Sequence, residues 1–165
     1  MTLPALEAAI DALDIAHRDL LRAVDSVADD AWDEASPDPG WTRRDVLAHV
    51  VSNELRVHAR LRSAIGQTDE AELKAINDID GWNQREVEAR RGRAVRELVD
   101  ELATHRQETL RLLDTFRPQH LSTPITLADG STCNVLQYIQ MFTDHISEHA
   151  GQLVPASRAR RSKAP

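Results

Sequence analysis

Seven histidines occur in a chain of 165 residues, and three have the spacing to hold a metal ion. His145 and His149 are four residues apart, so on a helix both imidazoles project from one face, a turn apart. That face also carries Val135, Tyr138, Ile139, Phe142, Ile146 and Leu153, which makes it an apolar stripe. A buried imidazole needs a hydrogen-bond partner or a metal, since an unsatisfied polar group in a core costs about 1–3 kcal/mol. Alone, such a pair is a weak signal, and satisfied structural histidines are the commoner case. His49 changes the balance, because it stands beside Val46 and Val50 on a second apolar helix.

The elements that must position these residues are helices. Leu6, Ile10, Leu13, His17, Leu20, Leu21 and Val24 form the stripe of a first helix over about Leu3 to Val27, with Pro4 in its first turn. A polar loop follows from Asp29 to Gly40. Thr42 to Asp45 has the pattern of a capping box opening a second helix, which Gly66 ends. Residues 67 to 85 form a long connection with a short helical piece around Glu70 to Asn77. A third helix is predicted over Glu86 to Phe116, and Arg117-Pro118 stops it. Leu121 to Cys133, with its Ala128-Asp129-Gly130 turn, predicts a short hairpin before Asn134 opens the fourth helix. Four such helices predict an all-α four-helix bundle over residues 1–154. The long crossover between helices 2 and 3 predicts an up-down-down-up course. The basic tail, residues 155–165, reads as disordered.

This course brings the start of helix 2 and the end of helix 4 to one end of the bundle. His49 then lies ~10 Å below that end, and His145 and His149 lie ~6–12 Å below it. Three imidazoles at one depth match a tris-histidine site with open positions. Neutral imidazole suits Zn and Ni, and also Fe, Cu or Mn. His17 falls about a turn deeper and reads as a core histidine. His105 is far along helix 3, His58 faces away from His49, and His120 is in a distant loop. Cys133 starts helix 4 at the opposite end, as a small buried residue.

Composition narrows the function. Twenty basic against 27 acidic residues give a net charge of −7, which argues against a nucleic-acid binder. One cysteine excludes a disulfide framework. No apolar run approaches the ~20 residues of a membrane span, and the N-terminus does not read as a secretory signal. A cytoplasmic protein is expected.

Gly40-Trp41-Thr42-x-x-Asp45-Val46-Leu47-Ala48-His49 and Asp144-His145-Ile146-Ser147-Glu148-His149-Ala150-Gly151-Gln152-Leu153 resemble the two signature helices of DinB-like proteins. The resemblance spans about residues 5 to 153. It implies a metal-binding bundle with His49, His145 and His149 as ligands, often a homodimer. It also implies kinship with mycothiol- or bacillithiol-dependent S-transferases and with the N-terminal domain of mycothiol-dependent maleylpyruvate isomerase. Those isomerases carry a carboxylate where His145 stands. Asn77 to Arg85, with Trp82-Asn83, also resembles small bundle proteins of the family linked to genotoxin self-protection, where the triad is not essential.

The expected chemistry is transfer of a low-molecular-weight thiol to a small electrophile at the metal. Asn53, Arg85 and Gln152 are the candidate catalytic side chains, and Trp41, Trp82 and Asn83 are candidates for holding the thiol. Gln152 also suits support of a ligand from behind. Arg56 and Arg60 continue the line of His49 and Asn53, but read as solvated or paired with acidic neighbours. Two alternatives stand beside this reading: a hydrolase using metal-bound water, and a non-catalytic bundle serving metal binding, stress response or self-protection.

Overall fold

Proline in the first turn and apolar residues every three or four positions fold Pro4–Ser26 into α1. The computed structural model describes residues 3–154, and the expected tail lies outside them. The predicted capping box opens α2 (Arg43–Ala64): the Asp45 amide donates to Thr42 Oγ1 at 3.1 Å, and the Thr42 amide donates to the Asp45 carboxylate at 3.0 Å. Asn134 and Gln137 cap α6 (Val135–Leu153) in the same reciprocal way.

Between these lie three helices, α3 (Glu70–Asn77), α4 (Ile79–Arg90) and α5 (Val95–Asp114). The single helix predicted over Glu86 to Phe116 is therefore broken. Gly92 takes a φ of +81°, the left-handed region that favours glycine, and the chain turns there. Glu97 then accepts the Ala94 amide at 2.9 Å and starts a new helix. Arg90 ties the two pieces together, donating to Glu86 at 2.7 Å and to Glu101 at 2.6 Å. Apolar periodicity runs through the break, and a lone glycine is a weak stop signal. The remaining link holds the expected hairpin, with β1 (Ile125–Thr126) antiparallel to β2 (Thr132–Cys133).

The all-α class follows from these elements. α1 packs along α6, and α2 packs between α6, α5 and α4. Leu13, Leu20, Leu47, Leu61, Leu98, Ile139 and Ile146 are wholly or almost wholly buried at these contacts. Burying each such side chain contributes about 1.5–3 kcal/mol. Among the described residues, no helix is long and apolar enough to cross a membrane.

Because α2 is enclosed on several sides, its polar residues must find partners inside. Glu54 is fully buried, with Oε1 2.8 Å from His17 Nε2 and Oε2 accepting the Thr109 hydroxyl at 2.5 Å. His58 Nε2 lies 3.0 Å from Thr109 Oγ1 and 3.1 Å from the His105 carbonyl. His105 in turn faces the Val51 carbonyl through Nδ1 at 3.2 Å. His17, expected as a core histidine, belongs to this network, as do His58 and His105.

Candidate metal centre

His49 lies on α2, two turns past its cap, and His145 and His149 lie one turn apart near the end of α6. Their Cβ directions converge where the two helices touch. Nε2 of His49 is 3.1 Å from Nε2 of His145, and the three residues offer nitrogens all within 4.8 Å of one another. The rings stand edge to face, with centroids 4.4–5.1 Å apart.

Burial, and after it the neighbouring His145, His149 and Arg56, pushes His49 down to about 3. Burial, then His149 and Arg56, pushes His145 down to about 4. Both rings are neutral at physiological pH and carry a lone pair. His149 Nδ1 donates to Gln152 Oε1 at 2.6 Å, which leaves its Nε2 as the free acceptor. Gln152 Nε2 donates in turn to Asp38 Oδ1 at 3.3 Å, and Asp38 Oδ2 is 3.8 Å from His149 Nδ1. His49 Nδ1 is buried with no partner among the described residues. Convergent imidazoles, His49 and His145 held neutral by burial and His149 oriented from behind by Gln152, are a donor set that fits a divalent ion.

The loop before α2 brings Trp41 and Asp38 to this point. Gly40 has a φ of +83°, and the Trp41 amide donates to the Asp38 carbonyl at 3.1 Å, closing a tight turn. The Trp41 ring packs on His49, with centroids 5.0 Å apart. Asp38 is the residue that sequence reasoning missed. It sits in a polar loop 114 residues from Gln152, and no local pattern marks it.

The other expected site residues divide. Gln152 stands behind the triad, as described. Asn53 is buried one turn past His49, and its Oδ1 lies 3.4 Å from Arg56 Nη1. Asn83 shares a surface hollow with Trp41, and its Oδ1 is buried without a partner among the described residues. Trp82 is half-buried on the same helix but does not line that hollow; its Nε1 is likewise unpartnered. Arg85 is not brought to the cluster: it is exposed and pairs with Asp78 at 3.4 Å.

Arg56 and Arg60 differ from expectation. Neither is solvated, and neither is in an ion pair among the described residues. Arg60 is buried and donates to Asn77, while Arg56 is half-buried with its Nε unpartnered. Both line a cleft of about 310 Å³ that reaches His145. The hairpin and the start of α4 close over them, through Leu127, Ala128 and Ile79. Cys133, expected to be buried, is half-buried on β2. Burial pushes its thiol up, with the Arg60 charge opposing.

An all-α fold with three convergent histidines between two of its long helices defines the class. The chain matches the model of the mycothiol maleylpyruvate isomerase N-terminal domain over residues 13–143, and it belongs to that family. The DinB-like resemblance of the two histidine helices agrees with this. Two solved structures are similar. A histidine-to-alanine variant of the mycothiol-dependent maleylpyruvate isomerase matches with a TM-score of 0.69 and 18% identity, over 90% of this chain and 60% of that one. Another structure of this isomerase matches with a TM-score of 0.65 and 18% identity, over 92% and 61%. The chain thus spans about three fifths of the isomerase chains it matches. No curated protein matches it.

Proposed function

We propose that the protein is a metal-dependent thiol S-transferase, which joins a low-molecular-weight thiol of the mycothiol or bacillithiol kind to a small electrophile. The observation that carries this reading is the convergence of His49, His145 and His149 within 4.8 Å, in a family named for a mycothiol-dependent enzyme. His49, His145 and His149 would hold a divalent ion, Zn or Ni by donor type. When bound there, the ion would supply a positive charge that favours the thiolate form of the cosubstrate at neutral pH.

The chain's own residues supply the rest. Gln152, backed by Asp38, holds the His149 ring in one tautomer and orientation. Trp41 packs against His49 and shields it from water. The cleft that begins at His145 is walled by Phe142, Met141 and Val57 and is large enough for a small acceptor. In the transfer, the thiolate sulfur forms a bond to the electrophilic carbon. A leaving group departs with the bonding pair, or the adjacent carbon of an activated double bond takes up a proton from water.

The test is conjugation of mycothiol to an electrophilic bimane dye by zinc-loaded protein, followed by fluorescence. Turnover that requires mycothiol and falls by at least about a hundredfold in His149→Ala is expected. Turnover without thiol would point to metal–water hydrolysis instead. No turnover by a metal-loaded, folded protein would overturn the catalytic reading.

A further inference from the structure

His49, Asn53, Arg56 and Arg60 follow one another along a single face of α2 at intervals of three and four residues. Opposite them on α6, Tyr138, Met141, Phe142, His145 and His149 do the same. The two helices run in opposite senses: His49 meets His145 and His149, while Arg56 and Arg60 share the cleft with Tyr138. The cleft is therefore the continuation of the histidine cluster, seven residues further along each helix. That spacing corresponds to ~10 Å.

Its lining has two characters. Val57, Ile79, Leu127, Met141 and Phe142 give it an apolar body, and Ile79 and Met141 are exposed at 41% and 47%, high for residues of their kind. Two guanidinium groups also line it. Arg56 contributes a buried Nε with no acceptor among the described residues, and its side-chain hydrogen bond there is the long 3.4 Å one to the neutral Asn53 amide. Arg60 is 6% exposed and bonded to the neutral Asn77 amide. The lone carboxylate of the lining, Asp129, is exposed, and its Oδ1 is taken up by its own turn, accepting Ser131 N at 2.9 Å and Ser131 Oγ at 2.6 Å. The Tyr138 phenol is pushed up to about 12 by burial, with Arg56 and Arg60 opposing, so it is a hydrogen-bond donor at neutral pH. Two partly desolvated like charges side by side are costly unless an anion meets them. Guanidinium groups meet a carboxylate with paired, charge-assisted hydrogen bonds.

We infer that this cleft is the acceptor subsite, and that it takes an apolar small molecule with one carboxylate, held by Arg56 and Arg60, about two and three turns along α2 from the His49 end where the reacting carbon sits. The inference rests on the thiol-transfer reading for the identity of that carbon, but not for the binding itself. Arg56 and Arg60 act as specificity residues: they select for charge at one end while the apolar wall selects for the body.

Titration calorimetry on the zinc-loaded protein tests it, with 4-phenylbutyrate and its uncharged primary amide as probes and no thiol present. The acid is expected to bind about tenfold or more tightly than the amide. In Arg56→Met that preference disappears, the acid losing more affinity than the amide. Added salt weakens the acid and not the amide in the unaltered protein, a readout that does not depend on any variant folding. Equal binding of the two probes, a preference that survives Arg56→Met, or no binding of either overturns the inference. Neither probe is an electrophile. A failure of thiol transfer with the acid preference intact would therefore strike the proposed reaction alone, and the reverse result would strike this subsite alone.

Discussion

Nε2 of His49 and Nε2 of His145 lie 3.1 Å apart, joined across α2 and α6 over a sequence separation of 96 residues. At that distance two neutral imidazoles can share one hydrogen, or both can turn lone pairs toward a cation between them. The third ring closes the group, because Gln152 takes up the Nδ1 hydrogen of His149.

Gln152 is therefore expected to matter for metal affinity and little for folding. Substitution by Leu removes the acceptor that fixes the His149 tautomer. Losing such a partner behind a ligand costs about 10–100-fold in affinity. Competition for zinc against a chromophoric chelator measures this, with thermal melts as the control. An unchanged zinc affinity in Gln152→Leu would show that the His149 contact is incidental.

Glu54 is expected to carry stability rather than chemistry. Burial pushes its carboxyl up, but hydrogen bonds from His17 and Thr109 and the charge of His17 bring it below the ordinary range. Glu54→Leu leaves the His17 Nε2 and the Thr109 hydroxyl without this acceptor in the core. Breaking a buried pair in that way costs about 3–5 kcal/mol, read as a lower urea midpoint. Adding His17→Phe is expected to recover part of the loss, since it removes the stranded partner. Full additivity of the two changes would contradict the coupling.

Acid is expected to destabilise the metal-free protein. His49, at about 3, and His145, at about 4, are both held below the ordinary histidine value of 6.5, chiefly by burial, and burial lowers His58 as well. The unfolded chain therefore binds more protons than the folded one. Stability is fully present above about pH 6.5 and is lost as pH falls toward the folded values. Glu54 adds to the same trend at lower pH, because its folded pKa is also depressed. The urea midpoint should fall steadily between about pH 7 and 4. A midpoint that stays flat over this range would be inconsistent with neutral buried histidines.

Much of this architecture was legible from short-range signals. The Thr42–Asp45 cap, the Asn134 start of α6 and the pairing of His145 with His149 each depend on residues within a turn or two of one another. The depth of His49 followed from helix rise and from the opposite senses expected of the helices that carry it and the other two. What escaped was either non-local or ambiguous by residue type. Asp38 reaches Gln152 only through the turn at Gly40. The break at Gly92 interrupts a periodicity that continues past it, and ion pairs from Arg90 make it favourable. Arg56 and Arg60 lie on the expected line beyond His49, but arginine on a helix usually faces water. It is the hairpin and α4, both far away in sequence, that turn that line into a cleft.

The proposed chemistry depends on a metal ion held by His49, His145 and His149. Elemental analysis of the protein, purified without a histidine tag, tests it most directly beside His49→Ala and His149→Ala. About one divalent ion per chain is expected in the unaltered protein, with loss of that ion and retention of the fold in both variants. A protein that is purified free of metal and takes up neither zinc nor nickel would contradict it. The three imidazoles would then be structural residues of the α2–α6 contact.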